Sequence, residues 1–263
     1  MHYTGYLNKM SVYQHNPVRY YLNTENDLFF LNDLLGRKIK ISYLHKIKCF
    51  CGKIVDSVYR MNFCQSCFFT LPQASDAILK PELSKAHLGI EERDLEFEKA
   101  YQLQPHTVYL AISGGLKVGV SRTIQQTTRW IDQGAVAALP LLQVENRYQA
   151  GIWEVELKKK FSDKTAWRQM LTWKDPDVDL ISIKEEVKQM YPDKIHEFSS
   201  DNTIYRFEYP KIAIPENISS VNIEKNSSIE GELTAIRGQY IIFNNSTALN
   251  IRTYEGRMVE IVL

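Results

Sequence analysis

Apolar residues recur along this chain in two rhythms. Between Tyr6 and Tyr43 they fall into short runs, Tyr6–Leu7, Val18–Leu22, Leu28–Leu31 and Lys38–Tyr43, separated by Asn, Asp and Gly. Such runs predict short strands in a small sheet or half-barrel. In the middle of the chain Val108–Ile112 and Leu116–Val120 flank Ser113-Gly114-Gly115, and two β-rich runs split by a Gly-Gly turn predict a hairpin. Ala138–Val144 reads as a further strand. A helical rhythm then takes over, because Trp153, Leu157 and Phe161 share one face of Gln149–Phe161. Ser182-x-x-Glu185 reads as a capping box that opens a helix through Met190, closed by Tyr191-Pro192. Strands broken by Pro210 and Pro215 are expected in 203–223, and strands again from Ile229 to Leu263.

The last third echoes the first. Gly5-Tyr-Leu7 matches Gly231-Glu-Leu233, Leu31-Asn32 matches Leu249-Asn250, and Gly36-Arg-Lys-Ile-Lys-Ile41 matches Gly256-Arg-Met-Val-Glu-Ile261. Two similar β-units at opposite ends predict one composite barrel or sandwich with the rest inserted between them.

All four cysteines sit in one short stretch, Cys49-x-Cys51 and Cys64-x-x-Cys67. Two short-spaced thiol pairs suit tetrahedral Zn²⁺, which four thiolates fill completely, so the site reads as structural. Ala74–Tyr101 follows as an acidic segment expected to be helical, and the lone His87 within it carries no second metal site.

A formal net charge of +1 excludes a polycation, but the charge is unevenly spread. Residues 37–60 hold seven basic residues against Asp56 alone, and 101–173 hold nine against five acidic ones. These two basic segments are the ones suited to nucleic acid. No apolar run approaches the roughly twenty residues that span a bilayer, and Met1–Gly5 has no signal-peptide pattern, so the cytoplasm is expected.

The order hairpin, helix, strand, helix over Val108–Phe161 resembles the GIY-YIG nuclease superfamily, especially its divergent phage-type branch. Thr107-Val108-Tyr109 and Lys117-Val118-Gly119 stand where its two tripeptides stand. The resemblance implies that Tyr109 helps deprotonate an attacking water and that Arg129 stabilises charge on phosphate oxygens. It implies that Glu154 holds a divalent cation, Mg²⁺ or Mn²⁺. Lys117, Arg122 and Arg129 are the phosphate-contact candidates. Lys117 replaces the family's second tyrosine. Gln133, which cannot act as a base, stands with Asp132 where a histidine often follows the arginine. The whole chain also resembles a bacterial family, the domain of unknown function numbered two-seven-nine-seven, through Leu116–Arg122, Thr128–Ala135 and the cysteine module; that resemblance brings no activity.

The expected architecture is therefore α+β. It comprises a β-unit (1–48), a zinc module (49–72), a helical connector (73–101), a GIY-YIG-like domain (102–175), a helical linker (176–202) and a C-terminal β-unit (203–263). The expected function is nucleic-acid-directed, as a metal-dependent phosphodiester-cleaving nuclease. A non-catalytic zinc-containing DNA- or RNA-binding protein and a protein-interaction scaffold are the alternatives that the same residues allow.

Overall fold

The chain ends meet in one sheet. The computed structural model describes all of residues 1–263. His2–Tyr6 pairs with Arg257–Val262, which pairs with Lys38–Lys48, which pairs with Ser228–Arg237; every one of these pairings is antiparallel. Tyr240–Phe243, Thr247–Asn250 and Ser219–Ser220 extend the far side, and Ile54–Val55 adds to the end of Lys38–Lys48. The Met1 amine donates to the Leu263 carbonyl at 2.9 Å. Alternation explains the pairing: Ile39, Ile41, Val259, Ile261 and Ile229 turn one way and are buried, while Lys38 and Glu230 face water and form an ion pair at 2.6 Å.

The internal echo is a structural repeat. Strand Leu28–Phe30 leads through the 3₁₀ turn Leu31–Leu34 to Gly36 and then to Lys38–Lys48. Strand Thr247–Asn250 leads through Ile251–Tyr254 to Gly256 and then to Arg257–Val262. The two glycines have φ of +80° and +81°, which a side chain rarely tolerates. The repeats lie side by side, Ile41 opposite Ile261. The expected barrel does not close. Ser11–Tyr13, Arg19–Asn23 and Leu28–Phe30 pair with one another in a separate three-stranded sheet, which leaves His2–Tyr6 and Ser219–Ser220 as edges of the large one.

A four-stranded antiparallel sheet occupies the centre, in the order Tyr205–Arg206, Ala137–Val144, His106–Ile112, Leu116–Arg122. The hairpin is the one the Gly-Gly turn predicts. Helix Gln126–Asp132 and helix Arg147–Leu157 follow the second and third of these strands in sequence. The latter is capped by Asn146, whose side chain accepts from the Gln149 amide. It ends four residues before Phe161, which is buried in the turn that follows.

Three other expectations change. The 74–101 connector is a string of short turns in which Pro81 restarts the chain, and only Leu95–Gln102 forms a two-turn helix. The later helix runs Leu180–Met190 and is capped by Asp179, which accepts from the Ile181 and Ser182 amides, so Ser182 is not its cap. Residues 203–223 hold only the two-residue strands Tyr205–Arg206 and Ser219–Ser220. No helix is long and apolar enough to cross a membrane.

The central and terminal sheets are joined at Arg237. Its side chain is fully buried and makes a two-toothed pair with Asp175, both contacts at 2.7 Å. It also donates to the Gly134 and Met170 carbonyls. Asp175 in turn accepts from the Gly114 amide at the hairpin tip.

Candidate functional site

A cleft of about 430 Å³ opens beside the edge strand Leu116–Arg122. The strand supplies Lys117 and Arg122, helix Gln126–Asp132 supplies Arg129, and helix Arg147–Leu157 supplies Glu154. These expected site residues therefore converge, although 37 positions separate Lys117 from Glu154. Lys9, Arg147 and Arg252 add further positive charge, against Asp132, Glu154 and Asp163. Of the six cations only Lys9 makes an ion pair, with Asp132 at 3.1 Å.

Tyr109 lies under the cleft rather than in its wall. It faces Gly119 across the hairpin, and a Cβ at Gly119 would sit 2.7 Å from the hydroxyl. The hydroxyl donates to Gln133 Oε1 at 2.9 Å. Burial pushes its pKa up to about 12, and the nearby Arg129 only partly opposes this. Lys117 is almost wholly buried and donates to Thr165 Oγ1 at 3.0 Å. Burial, with Arg129 beside it, lowers its pKa to about 8.

Glu154 makes the ordinary helix pair with Lys158, at 3.5 Å. Lys158 also reaches Asp163 at 3.2 Å, so one ammonium rests between two carboxylates. Burial raises the Glu154 pKa even so. Asp163 has no helical register with Glu154, since it sits in the turn after the helix, nine residues on.

Arg122 and Arg147 both approach the ring of Tyr101, at 4.7 and 5.4 Å. Arg147 is buried and donates to the Ala77 and Ile78 carbonyls, which ties the connector to the cleft. His106 pairs opposite Arg122 in the hairpin; it is fully buried and its Nε2 has no partner. Burial lowers its pKa to about 4. Lys9 and Arg252 carried no local signal, since the fold alone brings both ends of the chain to this cleft. Asp132 is held by Lys9 and by Gln239 Nε2 at 2.8 Å. In the Arg237–Tyr240 turn, Arg237 and Gln239 are therefore both engaged in holding the fold.

The four cysteine sulfurs all lie within 4.8 Å of one another. A tetrahedral Zn²⁺ with Zn–S near 2.3 Å needs sulfurs ~3.8 Å apart, so the cluster can hold a zinc ion after a small contraction. Gly52 turns the first knuckle with φ +84°, and the Cys64 amide donates to Cys49 Sγ at 3.1 Å. Burial works against the Cys49 thiolate, but amide donation from Cys64 and Cys51 outweighs it and brings the thiol down to about 7. His87 plays no part in this cluster and stacks on Tyr148 at 4.3 Å.

A family model described as Protein of unknown function (DUF2797) matches residues 36–259. No curated protein and no solved structure matches the chain.

Proposed function

We propose that this chain, which belongs to the family of unknown function DUF2797, acts on nucleic acid and cleaves phosphodiesters in the cleft beside Leu116–Arg122. The observation that carries the reading is a set of cations without carboxylate partners. Lys117, Arg122, Arg129, Arg147 and Arg252 line one cleft and none makes an ion pair. All but the exposed Arg252 are buried or half-buried; such charge left without an anion is costly, and a phosphodiester offers it a matching one.

The residues divide the work. Arg129 is half-buried beside the Tyr109 hydroxyl, and its planar guanidinium suits a two-toothed grip on phosphate oxygens. Arg122 is braced by Gln125 and Tyr101 and positions a neighbouring phosphate. Lys117, held by Thr165, adds a fixed charge at the cleft floor. Glu154 and Asp163 already share one cation, the Lys158 ammonium. Their hard oxygens fit Mg²⁺ or Mn²⁺ in that place. Such an ion would supply Lewis acidity at the scissile phosphate. Gln133, fixed by the Tyr109 hydroxyl, is placed to orient a water through its amide. The order of strands and helices resembles the GIY-YIG nucleases and supports the same reading, as does the meeting of Lys117, Arg129 and Glu154 in one cleft.

A non-catalytic nucleic-acid-binding protein is the second reading. It is favoured by one observation: the Tyr109 phenol sits at about 12 and donates to Gln133, so neither is a ready base. Metal-dependent scission of labelled DNA or RNA, lost on changing Arg129 or Glu154, separates the two.

A further inference from the structure

We propose that the exposed aromatic face of the cysteine module is a stacking platform for the unpaired bases of a single-stranded nucleic acid. This rests on the cleft reading and adds the form of the strand that the cleft receives.

Tyr59, Phe68 and Phe69 touch one another, with ring centroids 5.2, 5.4 and 5.3 Å apart. Three aromatics in contact would ordinarily be buried, yet Tyr59 is 50% and Phe69 56% exposed. An apolar surface of this kind marks an interaction site. The fold holds the rings in place. The Tyr59 amide donates to the Phe63 carbonyl across a tight turn in which Met61 and Asn62 have φ of +52° and +64°. Asn62 is pinned by Arg257 of the large sheet. Phe68 and Phe69 ride on the short helix Gln65–Thr70 that starts at Cys64, so the cysteine cluster sets their position.

Charge selects the occupant. Arg60 lies over the Phe68 ring at 5.7 Å. Lys46, Lys53 and Arg60 are exposed in a segment whose only acid is Asp56. Rings for bases and cations for the backbone are the two parts of a single-strand site. A duplex offers the rings nothing, because its bases already cover one another. The face also runs on towards the cleft: Met61, two residues from Tyr59, lines the cleft wall and, with the 66% exposed Phe50, a second groove of about 350 Å³. One strand can lay its bases on the module and its phosphates in the cleft.

The test is fluorescence anisotropy with labelled oligothymidylate, an abasic strand of equal length, and a duplex. Wild type is compared with Tyr59→Ala/Phe69→Ala and with Arg129→Ala. The aromatic pair should weaken oligothymidylate binding at least about tenfold and leave the abasic strand and duplex unchanged. Arg129→Ala should weaken all three. If the alanine pair loses its metal or its circular dichroism, Tyr59→Leu/Phe69→Leu keeps the apolar bulk without the rings and takes its place. Oligothymidylate binding that the aromatic variants leave intact, while Arg129→Ala weakens it, overturns the platform alone and leaves the face to a protein partner. Absence of wild-type binding to every probe overturns the platform and the cleft reading together.

Discussion

The Tyr109 hydroxyl reaches Gln133 Oε1, at 2.9 Å, past a glycine. Gly119 stands opposite Tyr109 in the hairpin, and any side chain there would meet the phenol at 2.7 to 3.1 Å. The requirement at Gly119 is therefore space for the phenol, since its φ is not in the left-handed region.

Gly119→Ala should destabilise the protein by about 1–3 kcal/mol, the cost of overpacking a close-packed site. Tyr109→Phe should cost about 1 kcal/mol, the worth of one hydrogen bond. Chemical denaturation of both variants measures these differences. A Gly119→Ala protein as stable as wild type would mean that the phenol moves freely.

Much of this region was legible beforehand because its signals are local. The Gly-Gly turn, the continuous apolar run Val108–Ile112 and the four-residue spacing of Trp153 and Leu157 each act over one turn or one strand. The cysteine cluster was legible for the same reason. The composite sheet was visible only through the echo of Gly36–Ile41 in Gly256–Ile261, and its openness was not, because nothing local says that Arg19–Asn23 prefers Leu28–Phe30 to the large sheet. Lys9, Arg252 and Asp163 reach the cleft through tertiary packing, which leaves no periodic trace. The connector does not form one helix, although its glutamates favour it, because Pro81 breaks the run.

Arg237 should tolerate no change of charge. Arg237→Met leaves Asp175 without its partner in a largely buried setting, which costs about 3–5 kcal/mol. The denaturation midpoint should fall by roughly 10 °C for a chain of this size. Arg237→Met with Asp175→Asn should recover part of that loss. A single variant that melts like wild type would contradict the joint between the two sheets.

Acid should weaken the fold through His106. Its imidazole takes up a proton near 6.5 in the unfolded chain and only near 4 when buried. Between these values the unfolded state binds more protons, so stability falls as pH drops from about 6.5 to about 4. The loss is at most about 3 kcal/mol for this group. His106→Gln should flatten that part of the stability profile, measured by denaturant unfolding at a series of pH values. A slope equal to that of wild type would remove His106 as its source.

The cysteine module should carry metal. Elemental analysis of the purified protein should find about one zinc per chain. Stripping it with a chelator should raise hydrogen exchange in residues 49–72 while Lys38–Ile47 stays protected in the sheet. Protein that binds no metal when refolded with zinc would contradict the site.

The central claim is that Lys117, Arg129 and Glu154 meet around a phosphodiester. Its most direct test is scission of labelled DNA and RNA panels with Mg²⁺ or Mn²⁺, using wild type, Glu154→Gln and Arg129→Ala. Wild type should cut in a metal-dependent way, and both variants should abolish the cutting. Salt-sensitive binding without cutting would contradict the role given to Glu154, and a wild-type protein that neither binds nor cuts would contradict the account as a whole.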